Sequence, residues 1–169
     1  MLDDYLLPVG DLDWDRLLSD WRWLIGDKPI SIQAVAAVGN LFLRGESGRI
    51  YLLEIEDGTC ECIAQSAGQF EEKVGDRHNR RAWLKGFLVR DLRRAGIVLG
   101  PGQCYGHKIP HHLGGVPGIE NIEPVDLMVH VSVLGQLHRQ TRALAPGTSI
   151  DEIRVVQPSS GPKDEVPSQ

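Results

Sequence analysis

The sequence predicts an α+β fold in which an antiparallel meander sheet packs against several helices within a single domain. Three observations carry the prediction. Apolar residues recur three and four apart over residues 12–25, 76–95 and 130–144, the period of a helix with one buried face. Between residues 30 and 64 they alternate or gather in short runs, the pattern of strands. Those runs are divided by Gly39-Asn40, Glu46-Ser47-Gly48 and Asp57-Gly58, residues that accept the backbone conformations of hairpin turns. With 169 residues the chain can bury roughly two thirds of its unfolded surface without staples.

The first helix, over 12–25, carries Leu12, Trp14, Leu17, Leu18, Trp21, Leu24 and Ile25; Asp11 or Asp13 caps it and Gly26 ends it. Trp14 and Trp21 share a face and Trp23 points elsewhere, so these rings either pack in the core or leave one free for a partner. Strands follow in Ile30 to Val38, Leu41 to Leu43, Ile50 to Ile55 and Cys60 to Ile63, giving a meander of three or four strands. Cys60 and Cys62 fall on one side of their strand and read as two small apolar residues against the core.

Ser66 caps a short polar helix and Asp76 a longer one that runs to Ala95, closed by Gly96. Asp91 falls within the apolar arc of Trp83, Leu84, Phe87, Leu88, Leu92 and Ala95. Either it is buried with a cation, Lys108 or an arginine of the last helix, or the helix turns it to solvent. A strand over 122–127 and a helix over 130–144 complete the domain, with Pro146-Gly147 as the stop. Proline-rich, charged residues at the end of the chain read as a disordered tail.

Net charge is −5, but unevenly laid out. Residues 1–72 hold 14 acids against 5 bases, residues 73–115 hold 2 against 9, and residues 116–169 hold 7 against 4. An acidic face follows, suited to a basic protein and ill suited to nucleic acid. The arginines of residues 76–95 scatter around the helix instead of lining one face, so their expected use is salt-bridging to the acidic N-terminal half. Three cysteines fit reduced thiols better than a disulfide framework, and neither a membrane-length apolar run nor a basic leader is visible. These features set the expected location in the cytoplasm. Candidate partner contacts are Trp21, Trp23, Glu54, Glu56 and Asp57.

The stretch from Gly102 to Gly115 concentrates four glycines, a proline, three histidines, a thiol, a phenol and an ammonium. It reads as a shaped loop instead of a helix or ordinary strand, because Gly and Pro interrupt both ladders. Gly100, Gly102 and Gly106 miss the spacing of a dinucleotide fingerprint, and Lys108-Ile109-Pro110 forbids the helix that would hold a phosphate. Cys104, His107, His111 and His112 supply zinc-type donors at spacings no standard ligand pattern specifies; they support only an alternative reading, a metal-binding or enzymatic domain. The expectation is no catalytic residue, metal or cofactor.

A family resemblance rests on Ala37 to Leu43, Gly48 to Leu53, Leu92 to Leu99, and above all Gly102-Gln103-Cys104-Tyr105-Gly106 with Lys108-Ile109-Pro110 and Gly114-Gly115. Asn121-Ile122-Glu123, His130, Leu134-Gly135-Gln136 and His138 extend it. Over about residues 30–150 the chain resembles a bacterial family named after the C-terminal domain of immunity proteins that guard against DNase effectors of the type VI secretion system. The resemblance implies a non-catalytic domain that binds and neutralises a cognate toxin, a basic nuclease. It assigns no contact residues, so the loop residues stand as a signature of unassigned role. His107 and His111-His112 depart from the family's usual residues. The expected layout is an N-terminal helical segment over 1–29, the immunity-type domain over 30–150 and the tail over 151–169.

Overall fold

A computed structural model describes residues 2–8, 10, 12–145 and 147–156, and for Asp3 and His112 the backbone alone. The Asp11 cap, the Pro146 stop, the His112 imidazole and tail residues 157–169 therefore lie outside the described residues. Five strands form one antiparallel sheet in chain order: β1 (Leu6–Leu7), β2 (Ile30–Ala36), β3 (Leu41–Gly45), β4 (Ile50–Glu54) and β5 (Thr59–Ala64). The meander is the one expected, widened by β1, whose two residues are too short to show a period. The helical segment expected over 1–29 thus also carries a strand.

Helices cover both faces of the sheet, which is why β3 and β4 are apolar at consecutive positions. Phe42, Ile50 and Leu52 point to one layer, with Phe70, Val74, Leu84, Val89 and Leu92 from α3 (Ala67–Gly75), α5 (Gly86–Arg94) and the end of α4 (Arg77–Trp83). Leu41, Leu43, Leu53 and Ile55 point to the other, with Leu17, Leu18, Trp21, Val131 and Leu134 from α1 (Trp14–Ser19), α2 (Arg22–Ile25) and α6 (Leu127–Thr141). Each fully buried leucine contributes about 2 kcal/mol to holding the layers together.

The helices expected over 12–25 and 76–95 are both broken. The first divides at Asp20 and Trp21, where Trp21 turns inward and donates from Nε1 to the Val131 carbonyl at 2.9 Å. Gly135 makes that crossing close: a Cβ there would stand 2.9 Å from the Asp20 oxygen. Asp13 is the cap, accepting from the Arg16 amide, and Gly26 the stop. The second helix divides at Lys85, whose backbone is left-handed at φ 48°. That break resets the phase of α5 and sends Asp91 to the surface, paired with Arg90 and Arg94; Lys108 instead donates to the Glu120 carbonyl. Ser66 and Asp76 cap α3 and α4 as expected. Of the arginines over 76–95, Arg93 reaches Asp4 in the N-terminal half.

The glycine-rich stretch is also not what its composition suggests. Gln103–His107 is strand β6, paired antiparallel with β7 (Ile122–Asp126). The hairpin joins the end of β2 through a bond from the Tyr105 amide to the Ala37 carbonyl, 2.7 Å. Gly106 is accepted in a strand because neighbours fill its side-chain space: a Cβ would sit 2.6 Å from Val125 and 2.8 Å from the His130 ring. Of the two thiols expected against the core, Cys60 packs there half-buried, whereas Cys62 is exposed. Nor is residue 151 the start of an unplaced tail. Val156 and Arg154 are held along α6 by paired amide bonds to Gln136 and Gln140.

Candidate functional site

The turns between β2 and β3 and between β4 and β5, the start of α5 and the end of β6 surround a cavity of about 270 Å³. Glu54, Glu56, Asp57, Lys85, Tyr105, His107 and His111 line it. Three of the carboxylates picked out from the sequence therefore meet two histidines of the glycine-rich stretch. Larger depressions lie between α1 and α6, beside the α2–β2 turn and between Tyr5 and the arginines of α5, and none touches that stretch.

Strand geometry chooses which side chains enter. Alternation along β6 sends Tyr105 and His107 toward the layer containing α5, and Cys104 through to the opposite layer, where it is fully buried. The thiol is thereby separated from the His107 and His111 imidazoles of the alternative metal reading. Burial pushes the Cys104 thiol up to about 12, with the charges of Asp126 and Glu56 adding to it. Among the described residues no group of three or more His, Cys, Asp or Glu converges as ligands to a metal ion.

Glu56 is the electrostatic centre. Its Oε1 lies 2.9 Å from His107 Nδ1 and 3.3 Å from His130 Nε2. Neither approach has the alignment of a hydrogen bond, and both Glu56 oxygens and His130 Nε2 are buried without a well-directed partner. Burial alone would push the Glu56 carboxyl up, but His107 and then His130 more than reverse this and hold it below the ordinary glutamate range. The His111 ring packs edge-on against His107, centroids 4.3 Å apart. By contrast Glu54 already has a fixed cation, Lys85 Nζ at 2.7 Å. Lys85 is the one non-glycine residue with positive φ among the described residues, a strained conformation stabilised in part by that pair.

The remaining signature residues shape the backbone. Gly102 takes φ 72° in the turn before β6, and its carbonyl accepts from the Leu127 amide. Gln103 caps the Gly100 amide, and the Tyr105 hydroxyl donates to the Ile97 carbonyl. The Pro110 carbonyl accepts from Leu113 and Gly115, and Gly114 turns at φ 91°. Asn121 clamps the stretch, bonding Ile109 through both its amide and its carbonyl and donating also to the Val116 carbonyl. Trp21 and Trp23 lie on the opposite layer, stacked 6.1 Å apart, and Trp21 is wholly buried and presents no surface. Sequence reading missed His130 and Lys85 as members of the site. His130 sits in a helix whose apolar phase was visible, but nothing in that phase says that its ring reaches Glu56.

Fold and cleft together define an α+β domain that holds a carboxylate ionised beside a braced, glycine-shaped turn. Residues 64–138 match the family model described as T6SS immunity protein Tdi1, C-terminal. The matched segment runs from the end of β5 into α6 and so contains His107, His130 and the whole signature stretch. The fold is also similar to the crystal structure of Atu4351 from Agrobacterium tumefaciens, at 20% identity and a TM-score of 0.48, over 72% of this chain and 63% of that one. The chain therefore spans less than two thirds of that protein's length. Among curated proteins none matches the chain. No described helix is long and apolar enough to cross a membrane.

Proposed function

We propose that this chain is an immunity protein of the type VI secretion system, a non-catalytic binder that neutralises a cognate toxin, a basic nuclease, in the cytoplasm. The observation that carries the reading is the family match over residues 64–138. The site is compatible with it. Glu54, Glu56 and Asp57 cluster at one cleft of an acidic protein, a field that speeds capture of a basic partner. The clamped stretch also exposes the apolar side chains Ile109, Leu113, Val116 and Ile119, the kind of surface that excludes water from an interface. We propose residues 30–150 as the toxin-binding unit, with the signature residues acting to set the shape of its turn.

The test is co-expression with the toxin gene that neighbours it. Growth restored by this chain, and a complex of the two that survives size-exclusion chromatography, are the expected results. Unrelieved toxicity with the soluble chain present would sink the proposal.

A further inference from the structure

We propose that the cleft between α4 and the start of α5 is a binding site for a phosphate monoester, a phosphoryl group carrying two negative charges. Tyr5, Arg77, Arg80, Arg81, Phe87 and Arg90 surround about 200 Å³ there, and none of them lines the Glu56 cleft. On one continuous helix Arg90 would fall on a different face from Arg77, Arg80 and Arg81. The break at Lys85 removes that separation. Left-handed backbone redirects the chain, and Gly86 lets α5 start close against α4, where a Cβ would stand 3.3 Å from the Arg80 carbonyl oxygen. Arginines scattered along the sequence thus become a cluster.

Charge is the first observation in favour. Residues 77–90 hold four arginines, one lysine and no acid, in a chain of net charge −5, so the patch is local and not a general basicity. Lys85 turns away to Glu54, and Arg90 is shared with Asp91 at 3.2 Å. No acid lines the cleft, and Arg77, Arg80 and Arg81 form no ion pair among the described residues. Like charges held around one cleft repel, and the fold supplies no anion inside it to offset them. Preorganisation is the second. The Arg81 and Arg90 guanidiniums each lie 4.8 Å from the centre of the Phe87 ring, so one ring steadies two cations before any ligand arrives. The adjoining depression, which shares Tyr5 and Arg90, is by contrast neutralised from within: Asp4 pairs with Arg93 and Asp91 with Arg94. It leaves room for the group to which the phosphate is joined.

Residue type is the third observation. Arginine presents a planar fork that binds a pair of oxygens, and four forks meet here. A carboxylate fills one fork. A phosphate monoester brings about −1.5 to −2 charges at neutral pH and three strong acceptor oxygens, enough to engage guanidiniums of both helices. The phosphodiester of a nucleic acid brings a single charge, and Phe87, already engaged by two guanidiniums, is no open platform for a base. The cleft also falls below the roughly 300–1,000 Å³ of pockets that enclose whole small molecules, so it suits the phosphoryl head alone.

The test follows the backbone amide resonances of Arg81, Gly86 and Phe87 in the full chain by NMR at about pH 7 as methyl phosphate is added. Dimethyl phosphate stands for a nucleic-acid backbone and glutarate for an acidic peptide, both at matched ionic strength. Methyl phosphate is expected to shift these resonances together and to saturate with one dissociation constant, roughly tenfold or more below that of either control. Arg81→Gln should weaken it about tenfold, whereas Arg139→Gln, on α6 beside a different depression, should leave it unchanged. Arg81→Lys keeps the charge and loses the fork, so it should bind about fivefold more weakly than the wild type. Should a variant at residue 81 fail to fold, Arg77→Gln and the order of the three anions decide the matter in its place. Equal affinity for methyl phosphate and glutarate, tighter binding of dimethyl phosphate, an Arg81→Lys variant that binds like the wild type, or a drift without saturation would each overturn the proposal.

Discussion

His138 of α6 closes on the main chain of Glu56: its Nε2 lies 3.1 Å from the Glu56 carbonyl oxygen and 3.0 Å from that of Ile55. Gly58 completes the arrangement, since a Cβ there would stand 2.6 Å from the His138 ring. The residue that centres the cleft is thus held at its backbone by one histidine and flanked at its carboxylate by two others. His138→Phe keeps the ring and removes the donor, leaving carbonyls of the turn without it. The expected loss is about 1–2 kcal/mol of stability, with faster amide exchange around residues 55–58. Unchanged melting and exchange would show that the contact does not hold the turn.

Acid sensitivity should also trace to Glu56. Its carboxyl lies below the ordinary value of 4.5 in the folded protein, because the two imidazoles outweigh burial. A depressed folded value means that the unfolded chain takes up the proton first. The stabilisation is therefore complete above pH 4.5 and drains away as pH falls toward the folded value. Urea unfolding between about pH 5 and pH 3 is expected to show a steeper decline in the wild type than in Glu56→Gln, which has no proton to bind. Parallel declines would mean that the carboxylate gains nothing from its neighbours.

How much of this was legible in the sequence depended on whether the signal was local. The strand runs and their turns were readable because period and turn chemistry sit within a few residues of each other. Helix breaks at Trp21 and Lys85 were not: the Trp21 break goes with a bond to the distant Val131 carbonyl, and nothing local marks Lys85, a non-glycine residue, for left-handed backbone. The strand through Gly106 was hidden for the same reason, its small size answering to Val125 and His130. Composition suggested a loop there, and tertiary contact made a strand. Glu54, Glu56 and Asp57 were visible as an acidic run, but only the fold could bring His130 to them.

The Asn121 clamp should be worth several times a single hydrogen bond. Its side chain serves the Ile109 amide, the Ile109 carbonyl and the Val116 carbonyl while only 5% exposed. Asn121→Ala leaves those groups unserved, at a cost of about 2–4 kcal/mol. Amide protection of Ile109 and its neighbours should fall more than that of the sheet. Retained protection at Ile109 would place the bracing elsewhere.

Two glycine replacements should separate in sign. A Cβ on Gly115 would stand 1.8 Å from the Ile109 carbonyl oxygen, a backbone atom that cannot move without opening the clamp. Gly115→Ala is expected to lower stability by about 2–3 kcal/mol. Gly68 lies in α3 with nothing within 4 Å of the corresponding point, so Gly68→Ala should raise stability by about 0.5–1 kcal/mol through the unfolded chain. A thermal denaturation pair reads both, and a tolerated Gly115→Ala would sink the steric account.

The three thiols should react in a fixed order. Cys62 is exposed; Cys60, on the same strand, is half-buried and pushed up to about 11 by burial, with the charges of Cys62 and Glu61 adding. Cys104 is fully buried and higher still, about 12. Since the thiolate is the nucleophile, a disulfide reagent at about pH 8 is expected to titrate one thiol quickly, and Cys62→Ser should abolish that phase. Cys104 should become reactive only with global unfolding, its rate following urea concentration as the melting does. A fast equivalent that persists in the double variant Cys60→Ser/Cys62→Ser would place Cys104 in reach of solvent and contradict the burial of β6 between the two layers.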